Sequence, residues 1–350
     1  MGATHGSKMS PKQWMIKVAD AELAQGTMHK WDWGEGTLMY GLLRAWESTG
    51  EERYLEYAKQ WLDYHIAKGF VVDHGDRCCP GIAALMMYEL TDDEKYMIAA
   101  EQISKFLFEH AGETDGEAHM VWSRFWADDL FMTCPFLARM GNITGDGNYH
   151  EAAVSQIILY TKKLRDKSTG LFYHAWYPQD ESKSHLYRTW HPERGKTSPC
   201  FWGRGNGWIV MAVAEVLSIL PENISRREEL KEILEAQLRP VARLQDKSGM
   251  WHTVLDREDT YLETSATAMI TYGMAKAMKQ GLVERKYWDN VKRGWDALTG
   301  KVSEEDRVTG VSGGTGPGNC EHYQGIAVGV ITWGTGSFLL AASELIDGEA

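Results

Sequence analysis

Two features of the chain are suited to acid/base chemistry. Trp126-Ala127-Asp128-Asp129 places a pair of carboxyls behind an aromatic ring, and Asp73-His74-Gly75-Asp76 supplies a second candidate acid, Asp73, in an earlier loop. Burial raises a carboxyl by up to ~3–5 pKa units, whereas the dipole of a following helix lowers it far less. In a closed site burial therefore wins, and Asp128 keeps a proton near neutrality. An Asp at a helix start is in general a plain N-cap. What favours chemistry is the desolvating Trp126 beside Asp128, together with Asp73 in the corresponding loop two helices earlier.

The densest segment is Trp202-Gly203-Arg204-Gly205-Asn206-Gly207-Trp208. It lacks the order of a phosphate loop. Its glycines let backbone approach a ligand, its two Trp offer apolar walls, and Arg204 offers a fork matched to a carboxylate or to the backbone that binds one. His174 in Tyr173-His174-Ala175-Trp176, His119, His252 and His322 fall near the same kind of loop, as do Trp33 and Trp251. Asp128-Asp129 is not a diphosphate motif, because Met132 stands where the third acid belongs, and no His and Cys cluster has zinc spacing. No metal and no cofactor is expected. What remains is carboxylate chemistry in an aromatic, partly cationic cleft.

Six times a polar helical stretch gives way to one of these loops, which then opens a greasier helix. The pattern predicts twelve helices, at about 10–25, 35–48, 51–68, 80–90, 93–110, 128–141, 146–165, 206–220, 225–243, 262–280, 284–299 and 324–345. The odd-numbered ones are amphipathic; the even-numbered ones are apolar on most sides, as buried helices are. An outer ring around an inner one is an all-α (α/α)6 barrel, a six-hairpin toroid, with every inner N-terminus and every informative loop on one rim. Gly170–Tyr177 and Met250–Leu255 read as short extended pieces. The long connection from Asp166 to Pro199 reads as a lid or binding loop.

Fifteen Trp are present, and seven lie in or beside the six loops, which favours a binding face over a purely structural use. A net charge of −12 without a basic stripe argues against nucleic acid or an anionic membrane as partner, leaving a small anionic ligand open. The five cysteines are odd in number and scattered, which predicts reduced thiols and a cytoplasmic location. Residues 1–9 read as a flexible leader, a processed end or a remnant of cloning, and 10–350 as one catalytic domain, monomeric or homodimeric.

From about Trp14 onward the chain resembles glycoside hydrolase family 105, the unsaturated rhamnogalacturonyl hydrolases, and the related unsaturated glucuronyl hydrolases. The resemblance is carried by Val72-Asp73-His74 with Pro80-Gly81, Trp126 to Met132, Tyr173 to Trp176, Trp202 to Trp208, Gly249-Met250-Trp251-His252 and Glu263-Thr264-Ser265. It implies a six-hairpin α/α barrel. It also implies removal of a 4,5-unsaturated uronic acid from the non-reducing end of a lyase-generated oligosaccharide, with a rhamnogalacturonan type as first choice and an ulvan-type glucuronyl substrate next. Asp128 takes the place of the general acid/base and Asp73 that of the second carboxylate. His174, Trp202, Arg204 and Trp208 match substrate-binding positions, and His119 stands two residues from the spacing of a family histidine. Trp33, Trp126, Trp251 and His252 complete the expected binding set. The alternatives are an ordinary glycosidase or epimerase on the same toroid, with two carboxyls ~6.5–9.5 Å apart in the inverting case, and a non-catalytic carbohydrate-binding protein.

Overall fold

A computed structural model describes residues 9–26, 30–110, 112–114, 117–119, 124–177 and 197–346, with the side chains of 113–114 and 117–119 left out. His29, Trp122, Trp190 and most of the connection between Tyr177 and Ser198 lie outside the described residues.

Amphipathic segments form the outer helices α1 (Pro11–Leu23), α3 (Glu52–Lys68), α5 (Glu94–Glu109), α7 (Gly147–Leu164), α9 (Arg227–Arg243) and α11 (Trp288–Thr299). The helices that alternate with them, α2 (Trp33–Thr49), α4 (Pro80–Thr91), α6 (Asp129–Thr144), α8 (Gly203–Ile219) and α10 (Thr264–Lys279), are buried along most of their length. The inner ring runs α2, α4, α6, α8, α10 and is closed by α13 (Thr332–Leu345), which packs against both α10 and α2. Small residues permit that closure: a Cβ on Gly41 of α2 would sit 2.7 Å from the carbonyl oxygen of Gly336 on α13.

The chain's last helical pattern departs from expectation. Instead of one helix over 324–345, a short α12 (Cys320–Gln324) is followed by a strand at Val328–Gly329 that pairs antiparallel with Val311–Ser312, and only then by α13. The β-branched run through Val328, Val330 and Ile331 suits an extended backbone, and the pairing holds the glycine-rich stretch Gly313–Gly318 against the rim. Elsewhere among the described residues, strand is confined to short pairs. Phe125–Trp126 pairs with Ala175–Trp176, and Trp251–His252 with Leu262–Glu263, each lying in a loop that leads to an inner helix. Among the described residues no helix is long and apolar enough to cross a membrane.

Candidate active site

The strand pair ahead of α6 aligns the loop that carries Asp128 with the loop that follows α7. Trp126 faces Ala175 in register, and the Ala127 amide donates to the His174 carbonyl at 2.8 Å. His174, with no exposed surface, is thereby set beside Asp128, its Nε2 3.1 Å from Oδ2. The two atoms lie off the line of a good hydrogen bond, and among the described residues neither has another hydrogen-bond partner. The imidazole sits 4.1 Å from the Trp202 ring and 5.8 Å from that of Trp126, centroid to centroid. Burial holds its pKa below the usual histidine value, against the pull of Asp128.

Asp129 points inward and is buried. It accepts from the Trp126 amide at 3.1 Å and from the Tyr160 hydroxyl at 2.9 Å, while burial outweighs these bonds and the nearby Arg124 and pushes its pKa up to about 6. In the neighbouring loop the inward-facing acid is Asp76. It is recessed, with 32% of its side chain still accessible. Its pKa is pushed up to about 8, by desolvation first and then by Asp129, Asp128 and Asp32, with Arg124 opposing. Asp73, the acid singled out from sequence, is 55% exposed and faces His74 at 3.4 Å and Arg77 at 3.3 Å. Asp76 lies within the 3-10 turn Gly75–Cys78, and Asp73 stands two residues before it. Its tight winding carries Asp76 inward and leaves Asp73 outside, so the acid that the structure places near Asp128 and Asp129 is Asp76, whereas Asp73 lies on the exposed side.

Arg204 is buried, and both of its terminal nitrogens donate to the chain itself, while Nε has no hydrogen-bond partner among the described residues. One terminal nitrogen reaches both the carbonyl and the hydroxyl of Ser312, and the other donates to the Gly313 carbonyl at 2.7 Å. The guanidinium lies over Trp202 at 4.5 Å, with Trp333 at 5.6 Å. Of the two roles expected for Arg204, the geometry is that of holding backbone. Gly203 makes this position reachable, since a Cβ there would sit 2.5 Å from the His252 carbonyl oxygen. Glu263 completes the frame by accepting from the Ser312 amide at 2.9 Å while capping α10 through Ser265 and Ala266.

Other expected binding residues divide by where their polar atoms point. Trp33 and Trp126 keep part of their surface open on the rim, Trp33 packed 4.3 Å from Trp333 and edge-on to Trp208. Trp208 is fully buried against Phe131 and forms the floor beneath Trp33. Trp251 and His252 are not brought to the site, which corrects their assignment. The Trp251 indole donates to the Val241 carbonyl at 2.7 Å and packs toward Gly294 of α11, while His252 Nδ1 meets the Thr260 carbonyl at 2.5 Å. Both sit on a strand whose partner caps α10, so they brace the wall from behind. The backbone of His119 pairs with Gly112, and its side chain lies outside the described residues.

Sequence reasoning passed over four contributors: Asp76, Arg124, Tyr323 and the stretch Gly313–Gly318. Arg124 stacks 3.7 Å over the Trp126 ring, and an Arg two positions before a loop Trp was a readable signal. Four glycines within Gly313-Gly314-Thr315-Gly316-Pro317-Gly318 were another. Among the described residues no three His, Cys, Asp or Glu side chains are grouped to hold a metal ion. The reading of all five cysteines as free thiols is also corrected. Cys200, just before α8, is bonded to Cys320 at the start of α12, with their Cα atoms 5.9 Å apart, and Cys78, Cys79 and Cys134 are the buried free ones. A separation of 120 residues leaves no local spacing to read. The cytoplasmic location inferred from free thiols loses its premise.

The profile described as Glycosyl Hydrolase Family 88 matches residues 7–347. The chain is 31% identical over 328 residues to an unsaturated rhamnogalacturonyl hydrolase of Bacillus subtilis, covering 90% of each chain. It is 26% identical over 342 residues to an unsaturated 3S-rhamnoglycuronyl hydrolase of Formosa agariphila, covering 90% of this chain and 84% of that one. Among solved structures, a possible member of family GH105 from Salmonella enterica superposes with a TM-score of 0.84 at 26% identity, covering 100% of this chain and 97% of the other. An unsaturated glucuronyl hydrolase from a Bacillus species gives 0.73 at 19% identity, covering 97% of each, and shares the barrel fold.

Proposed function

The chain belongs to glycosyl hydrolase family 88 in its family 105 form, and from that membership we propose that it removes a 4,5-unsaturated uronic acid from the non-reducing end of lyase-generated oligosaccharides, those of rhamnogalacturonan type first and ulvan-type glucuronyl ones next. The observation that carries the reading is Asp128, at the mouth of α6, with buried His174 3.1 Å away on one side and the recessed, proton-holding Asp76 among its electrostatic neighbours.

The chemistry follows from those groups. Asp128 gives its proton to C4 of the enol ether, and the positive character that develops at C5 draws in water. As the water oxygen bonds to C5, its proton returns to Asp128. The product is a hemiketal, whose opening releases the next sugar without any attack at the anomeric carbon. Asp76, neutral up to about pH 8, hydrogen-bonds the uronate or the incoming water without adding negative charge opposite an anionic substrate. Arg124, spread over Trp126, supplies local positive charge in a chain whose net charge is −12. The test sets lyase-generated disaccharides from pectic, ulvan and glycosaminoglycan sources beside their saturated counterparts and follows the ultraviolet absorbance of the conjugated double bond. Absorbance is expected to fall with the unsaturated pectic substrate as sugar is released, and saturated substrates should be inert. Release of sugar with the double bond intact would point to an ordinary glycosidase.

A further inference from the structure

Behind His174 lies a phenol that the reaction scheme does not use. Tyr323 has no exposed surface, is stacked 5.6 Å from Trp202, and has two hydrogen-bond partners among the described residues: the Gly318 amide, which donates to its oxygen at 3.0 Å, and His174 Nδ1 at 2.8 Å. We propose that Tyr323 is a positioning residue that fixes His174 as the Nε2–H tautomer, so that His174 turns its one ring proton toward Oδ2 of Asp128, 3.1 Å away, and leaves Oδ1 as the oxygen that exchanges protons with substrate.

Donors and acceptors admit one arrangement. A phenol has one proton to give, and Gly318 N–H offers it no acceptor, so the proton goes to Nδ1. The reverse, Nδ1–H directed at the phenol oxygen, would leave a buried O–H with no acceptor among the described residues, at the desolvation cost of an unmade hydrogen bond. Burial drives the Tyr323 phenol far above its ordinary pKa, so it keeps its proton, and holds His174 below the usual histidine value, so the ring is neutral at pH 7. The groups whose charges act on the ring are Asp128, which favours protonation, and Arg204 and His322, which oppose it. With Nδ1 accepting, the single ring proton is on Nε2. That proton faces Asp128 Oδ2, an atom with essentially no solvent-accessible surface, whereas 16% of the Asp128 side chain is open. The oxygen left to the cleft is Oδ1. In the reaction above, Oδ1–H breaks as C4–H forms, the Nε2–H steadies the carboxylate left behind, and the proton from water returns to Oδ1 as the C5–O bond forms. His174 on this account orients Asp128 and need not touch substrate.

The proposal rests on Asp128 as the acid/base, and its first test does not depend on turnover. The ring nitrogens of His174 are observed by 15N NMR in histidine-labelled protein, with the signal assigned by its loss in His174→Gln. At pH 7 the expected spectrum has an unprotonated Nδ1 and a protonated Nε2; a protonated Nδ1, alone or in a doubly protonated ring, overturns the proposal whether or not the enzyme hydrates the double bond. The second test is Tyr323→Phe, which keeps the stacked ring and removes the hydroxyl. The expected outcome is a mixed His174 tautomer and a kcat lowered about tenfold with KM within twofold of wild type. An unchanged tautomer with unchanged kcat would show that Tyr323 is packing alone.

Discussion

The two ends of the inner ring bury charge in opposite ways. At the far end, Glu215 of α8 accepts from the Tyr40 hydroxyl at 2.7 Å and faces Lys276 of α10 at 3.1 Å. Glu344 of α13 faces Lys276, Lys279 and Arg44 at 3.6, 3.3 and 3.4 Å. Every carboxylate there has a cation, and four inner helices are tied together. At the rim, Asp76, Asp128 and Asp129 share a recess in which Arg124 is the cation acting on Asp76 and Asp129, and two of the three carboxyls are pushed up to about 8 and about 6. Matched burial makes a brace. Unmatched burial stores protons at a defined place, which is what a proton-transfer site requires, at a cost in stability.

The largest effect that would sharpen this contrast is expected from Asp128→Asn. It keeps the size of the side chain and removes both proton transfers, so turnover of the double bond should fall by about 10²–10⁴-fold or more, with thermal unfolding little changed. Consumption of the double bond at the wild-type rate would remove Asp128 from the chemistry.

At the braced end, Lys276→Met removes a cation about 18 Å along α10 from its rim end and leaves two buried glutamates short of a partner. Breaking a buried pair on one side costs about 3–5 kcal/mol, so chemical denaturation should show a loss of that order, while kcat of the folded enzyme stays at the wild-type value. A stability change below about 1 kcal/mol would place this network among pairs that contribute nothing net.

The smallest effect expected is a pH dependence at the rim. Folded Asp76 holds its proton up to about pH 8, against an ordinary value of 3.8. Between those values the folded state binds more protons than the unfolded one, so stability falls as pH rises from about 4 to 8. Asp129 and Glu35, pushed up to about 6 and about 7, act in the same direction. Asp76→Asn should therefore raise Tm at pH 8 by about 1–3 °C and leave it nearly unchanged at pH 4. An equal shift at both values, followed by differential scanning fluorimetry, would mean that Asp76 is ionised in the fold.

How much of this was legible depended on how far apart in sequence the deciding atoms lie. The alternation of amphipathic and all-apolar helices specified the barrel and its two rings, because a helix records its buried stripe in its own residues. The last inner helix was read eight residues too early, since Gly325 to Ile331 is apolar enough to extend a helical pattern, and only its pairing with Val311–Ser312 shows it as extended. Asp128 was visible because its neighbours, Trp126 and the helix it opens, are adjacent in the chain. Asp73 and Asp76 differ by three positions and one turn of 3-10 helix, and nothing local tells which faces inward.

By itself, then, the sequence determined the helix types, their order and the rim on which the loops gather, and it offered one candidate acid, Asp128, all of which depend on periodicity and near neighbours. Tertiary structure alone decided that Asp76 rather than Asp73 faces Asp128 and Asp129, that Arg204 holds Ser312 and Gly313, that Tyr323 backs His174 across 149 positions, and that Cys200 meets Cys320. Contacts between residues more than 100 positions apart depend on how six hairpins close into a ring, and that closure is a property of packing between helices that no single stretch of sequence contains.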